Sequence, residues 1–544
     1  MSQNFIKGAM ILSLSLFLTK ILGIVYTIPF KALVGEQGQT LYGYAYTLYS
    51  LFISLSTLGI PVGMAKFVSK YQASGEYDTA RKTFRYCILA MIVLGFIGFL
   101  MMYFFAPIYV NYILTNATSL LNDPAEIKAL VQDGPDIVHM IQVCSIALTV
   151  IPVMSIFRGF FQGNRNMIPT SISQLLEQVV RVMIILIGSF WIIKIKNRSY
   201  QEAVSLSVFA AFLSGMASFA CLMYYWQKEL PKYNELLLQS VPHPKRKLNA
   251  LVSEVIYCSV PFAFLGLATS LYQNVDTLHF HQLLTKSGMT VTIQKSYYGM
   301  YMTELAKLIM IPVSFALAFG QPLVPELTNY YQQNKHQTVG KTIQLALRLT
   351  LFITLPAVIG ISLLSHSVYL LLYPSTQELN ILGGQLFQVG AWLGILYALY
   401  SIVCSILQGM NLQKKGIIYL FISIFIKFIF NQLLVPFFGI NGFIYSTMIA
   451  YGTWIYLSYL QIKKHSTFKL KTLMINSIPI LLSCLLMSIS VILIKHKLSS
   501  FALSDRLYAF TEIAICGILG ALIYFISNYL LTLIIKKIKK GILR

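Results

Sequence analysis

The stretch Gly8–Phe30, GAMILSLSLFLTKILGIVYTIPF, decides the class of fold. About 20 apolar residues cross the ~30 Å hydrocarbon core of a bilayer, and this run is long enough to do so. One charge, Lys20, interrupts it near the middle. At a rise of about 1.5 Å per residue, Lys20 lies roughly 15–18 Å from either end, too deep for its stem to reach water easily. A charge at that depth costs roughly 2.5–3.5 kcal/mol on insertion scales. Lys20 is therefore expected to face a bundle interior or a watered cavity, or to pair with a structural carboxylate on a neighbouring helix. Thr19, Gly23 and Thr27 lie beside it on the helix as a small, polar stripe. The run follows Lys7 but is too long for a signal-peptide core and lacks a small-residue cleavage site, so it reads as a retained span.

The totals extend this reading to the whole chain. Its 544 residues are 57% hydrophobic and 11% charged, with a mean hydropathy of +0.70. That composition excludes a soluble globular protein and indicates an all-α polytopic membrane protein. The formal net charge of +23 raises the question of nucleic acid. The basic residues, however, sit mainly in short connections between apolar runs, which is the positive-inside pattern and suits anionic membrane lipid. No nucleic-acid partner is expected. The seven cysteines are scattered through apolar runs without a CxxC or Cys/His spacing, so neither a disulfide framework nor a metal site is indicated.

About fourteen transmembrane helices are expected, over residues 8–34, 41–68, 85–112, 137–162, 167–193, 202–226, 250–283, 297–329, 342–372, 383–408, 415–437, 440–462, 472–494 and 508–535. An even number places both termini on one side. The basic connections 66–85, 158–165, 228–247, 335–341, 414–415 and 463–471 fall on that side with the tail 536–544. Lys194, Lys196, Arg198, Lys495 and Lys497 go against the trend, but the balance puts both termini in the cytoplasm. The connection 228–249, with Pro231, Pro242, Pro244 and the run Lys245-Arg246-Lys247, separates six spans from eight.

The halves look related. Gly59-Ile60-Pro61 followed by Tyr71-Gln72 recurs as Gly320-Gln321-Pro322 followed by Tyr331-Gln332. Phe161-Gln162-Gly163 recurs as Leu407-Gln408-Gly409. These pairs map onto equivalent positions of two six-span units, as in parallel repeats related by an axis along the membrane normal. The expected organisation is an N-lobe over 1–227, a basic cytoplasmic linker over 228–249, a C-lobe over 250–464, and two extra spans with a basic tail over 465–544.

Hydrocarbon selects against charge, so the intramembrane polar residues are candidates for function. Glu177 and Arg181 are spaced i, i+4 and can neutralise each other, with Gln174 and Gln178 widening the patch. Residues 250–283 carry Asn274, Asp276, His279 and His281. Glu304 and Lys307 are i, i+3, and Lys427 and Asn431 are i, i+4. Arg348 lies close enough to the cytoplasmic end to snorkel. An enzyme is not expected, since no nucleophile elbow, P-loop or metal-ligand cluster occurs, and no cofactor is implied.

The opening helix with Thr19-Lys20-Ile21-Leu22-Gly23, the six-plus-eight layout and the Gln-Gly turn resemble the multidrug/oligosaccharidyl-lipid/polysaccharide flippase superfamily. Within it, the chain is similar to the MurJ-type lipid II flippases of the Gram-positive, SpoVB-like branch. The resemblance implies a V-shaped pair of six-helix lobes plus two C-terminal helices. It also implies a cationic central cavity for the diphosphate of an undecaprenyl-linked precursor. The basic position of span 1 falls on Lys20, and that of span 8, five residues before a proline, falls on Lys307. Both keep charge but lose the bidentate fork of arginine. Tyr26 stands where the family has a second arginine, Ile53-Ser54 where span 2 carries one, and Leu58 where an acidic residue is usual. Glu177, Arg181 and Glu304 complete the expected diphosphate cavity. Some relatives bind sodium through a span-7 aspartate and polar span-11 side chains. Asp276 matches the former and Lys427 and Asn431 the latter, so the Lys427 ammonium is expected to replace the cation. The favoured function is a lipid II flippase of peptidoglycan synthesis acting by alternating access, as a monomer in the cell membrane. A Wzx-like flippase of polysaccharide repeat units, a cation-coupled multidrug exporter and a non-transporting scaffold are the alternatives.

Overall fold

The computed structural model describes residues 15, 18–19, 21–23, 25–57, 59–121, 123–164, 166–241, 253, 266–498 and 505–542. Lys20, Leu58, Pro261 and the run Lys245-Arg246-Lys247 lie outside the described residues. Every regular element among the described residues is a helix. Hydrocarbon offers no partner for a backbone N–H or C=O, and a helix satisfies both within one segment. Nine helical stretches among the described residues are long and apolar enough to cross a membrane. They overlie the expected spans 85–112, 137–162, 167–193, 202–226, 383–408, 415–437, 472–494 and 508–535 (the last to Ile534), and the expected span 342–372 as far as Leu363. The other five expected spans fall on more polar helices or partly outside the described residues.

The chain forms two compact units, Met1–Thr303 and Glu304–Arg544. The first contains α1 (Thr27–Thr57), α2 (Ile60–Ala73), α3 (Tyr77–Thr118), α4 (Pro124–Val131), α5 (Gly134–Ser145), α6 (Ile151–Gly163), α7 (Ile168–Phe190), α8 (Tyr200–Leu238), α9 (Ala268–Lys286) and α10 (Val291–Gly299). The α1 helix is kinked at Gly35, whose φ of 71° and ψ of −174° suit only glycine. Pro61, Pro152 and Pro169 stand in the first turns of α2, α6 and α7, where a missing N–H costs nothing. The α7 helix packs on α8, α2 on α6, and α1 on α5 and α8.

The boundary at Thr303 comes later in the chain than the basic connection 228–249, because α9 and α10 are fastened onto α1 and α3. Asn274 donates to the Thr47 carbonyl at 3.1 Å and accepts from the Tyr109 hydroxyl at 3.2 Å. His281 bonds Tyr44 through Nε2 and Gln294 through Nδ1. Tyr44 stacks on Tyr298 with ring centroids 3.9 Å apart. Gln39 donates to Thr303 at 2.8 Å, and Lys295 pairs with Asp133 at 2.6 Å. Apart from Gln39 Oε1, which has no partner among the described residues, these groups are hydrogen-bonded where they sit, as buried polar side chains generally are.

The second unit contains α11 (Ala306–Gln332), α12 (His336–Leu363), α13 (Ser365–Leu372), α14 (Gln377–Gly390), α15 (Leu393–Gly409), α16 (Gln413–Phe438), α17 (Ile440–His465), α18 (Leu470–Leu498) and α19 (Asp505–Ile542). The expected span 342–372 is two helices, α12 and α13, and the expected span 383–408 falls on α14 and α15. The α18 and α19 helices dock on α12 and α13 through Met487, Val491, Cys516 and Tyr524, whose hydroxyl donates to the Phe352 carbonyl at 2.7 Å.

The two units repeat local geometry. A Cβ on Gly163 would stand 2.8 Å from the Ala65 carbonyl oxygen and 2.6 Å from Val68 Cβ. A Cβ on Gly409 would stand 3.1 Å from the Val324 oxygen and 2.8 Å from Leu327 Cβ. The α2–α6 crossing of one unit therefore has the same glycine contact as the α11–α15 crossing of the other. Each of α2 and α11 is followed by a residue in the left-handed region, Gly75 (φ 75°) and Asn334 (φ 55°), just before the next helix starts.

Candidate functional site

The α7 helix has two faces. Ile172, Leu176, Val179, Met183, Ile187 and Phe190 are exposed on one side, as lipid contact requires. Gln174, Glu177, Gln178 and Arg181 lie on the opposite side and are half-buried. The i, i+4 pair forms as its spacing predicts, with Arg181 Nη2 donating to Glu177 Oε1 at 2.8 Å.

A third charge joins them. Arg158 Nη2 donates to Glu177 Oε2 at 2.8 Å and to Ser218 Oγ at 2.9 Å, while its Nε donates to Ser173 Oγ at 3.2 Å. Sequence reading assigned Arg158 to a cytoplasmic connection. It lies instead inside α6, between buried Phe157 and Phe160, and its side chain is 13% exposed. The available signal was that apolar residues flank Arg158 on both sides. Arg181 Nε also reaches Ser214 Oγ at 3.3 Å. Three helices, α6, α7 and α8, thus meet at one carboxylate held between two guanidiniums. Ion pairs removed from water are tolerable when such additional hydrogen bonds occupy the leftover donors.

Beside this cluster runs a row of phenols on α1, which sequence reading passed over. Tyr42, Tyr46 and Tyr49 follow at i, i+4 and i+7, and the Arg181 charge acts on all three. The Tyr42 and Tyr46 rings stack at 5.7 Å. Tyr26 is buried, with its hydroxyl 3.2 Å from that of Tyr42. A Cβ on Gly23 would stand 3.5 Å from Gln178 Nε2, so Gly23 packs beside α7.

The other candidates are distributed over both units. Asp276, in the first, is buried and accepts from the Tyr301 hydroxyl at 3.0 Å. In the second, Glu304 is fully buried, and Lys307 is half-buried near the start of α11. Lys427 on α16 is fully buried and donates to Thr447 Oγ1 on α17 at 2.5 Å. One turn later, Asn431 accepts from Ser446. Lys427 and Asn431 therefore share the α16–α17 seam. The hydroxyls of Thr447 and Ser446 were not among the candidates, because nothing local to α17 marks them.

A family model described as polysaccharide biosynthesis protein matches residues 5–330. The chain is 31% identical over 531 residues to the lipid II flippase MurJ of Bacillus subtilis (strain 168), covering 97% of this chain and 96% of that protein. It is 25% identical over 444 residues to the stage V sporulation protein B of the same organism, covering 81% of this chain and 80% of that protein. Among solved structures it resembles a lipid II flippase MurJ in an inward closed conformation, with a TM-score of 0.65 and 16% identity, covering 96% of this chain and 98% of that one. An inward-facing multidrug resistance MATE transporter matches with a TM-score of 0.62 and 13% identity, covering 84% and 98%.

Proposed function

The chain belongs to the polysaccharide biosynthesis protein family, and on that premise we propose that it is a flippase carrying lipid II across the cell membrane for peptidoglycan synthesis. The observation that carries this reading is the 31% identity to a lipid II flippase over nearly the full length of both proteins. A likeness of that extent favours lipid II over a polysaccharide repeat unit on the same lipid carrier, or a drug. The protein is a transporter rather than an enzyme in this reading, and it works as a monomer without nucleic acid.

Lys20 and Lys307 attract the diphosphate as point charges, and Tyr26, Glu177, Arg181 and Glu304 support them. The lobes of transport are 1–227 and 250–464, joined by the linker 228–249, with 465–544 as an accessory pair of spans. Both termini are cytoplasmic. Lys427, with Asn431, supplies in the second lobe the positive charge that a coupling cation would bring, and Asp276 is the acidic member of that arrangement. The protein then needs no sodium.

The deciding experiment is complementation of a strain depleted of its lipid II flippase, at matched membrane levels. Wild type is expected to restore growth, and Lys20→Ala and Lys307→Ala to fail. A well-expressed wild type that gives no rescue rejects the cargo. Rescue by all three chains keeps the cargo and rejects the two lysines as its site.

A further inference from the structure

Glu177 has two oxygens and each is taken by a different guanidinium, Oε2 by Arg158 and Oε1 by Arg181. The pair legible on α7 alone is neutral, and a neutral pair offers an anion little. The cluster in the structure sets two guanidiniums against one carboxylate and keeps one positive charge. We propose that Arg158 is a positioning residue that neutralises Glu177 and so leaves Arg181 to take an anionic oxygen of a lipid-linked diphosphate. This rests on the lipid II reading above and adds a residue to it.

The geometry divides the two arginines by role. Arg158 is held by Ser173 and Ser218 as well as by Glu177, which fixes it among α6, α7 and α8. Among the described residues, Arg181 spends Nη2 on Glu177 and Nε on Ser214. Guanidinium presents five N–H donors in a planar fork, so its Nη1 edge is available to a ligand oxygen. The side chains of Glu177 and Arg181 are 16% and 17% exposed, on the face of α7 turned away from its exposed apolar residues. That residual access lies on the face opposite the one suited to lipid.

A second observation points to a ligand at the same place. The Tyr49 hydroxyl is buried and has no hydrogen-bond partner among the described residues, and the Arg181 charge acts on it. A buried hydroxyl left unsatisfied costs about 1–3 kcal/mol. A phosphate oxygen held by Arg181 would accept from it and from the neighbouring phenols of Tyr42 and Tyr46.

The test separates charge from scaffolding. Full-length chains purified in detergent are titrated with farnesyl diphosphate, with farnesol as the uncharged control and thermal midpoints recorded for each. Arg158→Gln leaves a neutral Glu177–Arg181 pair and is expected to weaken farnesyl diphosphate binding roughly tenfold or more. Arg158→Gln combined with Glu177→Gln restores one net positive charge, and binding is expected to return to within about threefold of wild type. A purely structural Arg158 predicts the reverse, with the double variant as weak as the single. Either that result or wild-type binding by Arg158→Gln overturns the proposal. If Arg158→Gln does not accumulate, Arg158→Lys takes its place. It keeps the charge and is expected to keep binding, and its loss of binding while folded overturns the proposal equally. Failure of wild type both to bind farnesyl diphosphate and to rescue the depleted strain rejects the lipid II reading itself.

Discussion

Arg181 on α7 and Lys427 on α16 stand at the same interval after a Gln-Gly turn, counted from Gly163 in one unit and from Gly409 in the other. Each is a basic residue on an interior face of its helix. Their surroundings differ. One turn before Arg181 is Glu177, and the matching position before Lys427 is Ser423. Arg158, the second partner of Glu177, corresponds to Cys404. No Asp or Glu occurs between Glu378 and Asp505, so α15, α16 and α17 carry no carboxylate. One unit thus holds its cation in a three-residue ionic cluster, and the other presents an ammonium to the hydroxyl of Thr447. The position after the Gln-Gly turn is shared, while the neighbours fix how the charge is held. Arginine's fork is shared among several acceptors, whereas lysine acts as a compact point charge.

The largest effect expected from breaking this comparison is on transport. Lys427→Ala removes the buried basic group from the middle of α16 while leaving the first unit intact. Rescue of a flippase-depleted strain should fall by tenfold or more on the order expected for losing a charged contact, and whatever activity survives should respond to sodium. Full rescue that is indifferent to sodium would break the assignment of Lys427 as a substitute cation.

An intermediate effect is expected on stability. Glu177→Ala leaves two guanidiniums facing each other without their carboxylate. Breaking a buried pair in this way costs about 3–5 kcal/mol when solvent is absent, and the partial exposure here lowers that to roughly 2–3 kcal/mol. A lowered thermal midpoint of the detergent-solubilised protein checks it. An unchanged midpoint would mean the cluster is solvated and the contrast with Lys427 is one of position alone.

The smallest effect sharpens the repeat itself. Gly163→Ala and Gly409→Ala both force a Cβ into the opposing helix, at about 1–3 kcal/mol for overpacking. Gly163 should be the costlier site, since its Cβ would meet backbone oxygen at 2.8 Å rather than 3.1 Å. The order of the two midpoints decides the point, and a reversed order would show that the crossings yield differently.

Much of the fold is legible from local pattern. The apolar runs, the basic connections and the paired Gly/Pro and Gln-Gly marks are properties of short stretches, and the helices lie over them. The exceptions have local physical causes. Residues 342–372 break at Leu364 into α12 and α13, and α14 gives way to α15 across Ala391 and Trp392, because apolar length alone does not locate a break. The site was legible only where partners share a helix. Glu177 and Arg181, one turn apart, are bonded as the spacing requires. Arg158 and Glu177 are on different helices, and a sequence offers no measure of that approach.

By itself, then, the sequence determined that the chain is a helical, multi-pass membrane protein and that charges such as Glu177, Arg181 and Lys427 stand within its apolar runs. Transfer into hydrocarbon is priced residue by residue, so it leaves its mark in composition and period. Tertiary structure alone decided which charges meet. It placed Arg158 on Glu177, Thr447 under Lys427, and α9 and α10 with the first unit. Those outcomes depend on how closely and at what angle side chains far apart in the chain approach, and electrostatic and hydrogen-bond energies fall off steeply as that approach is lost.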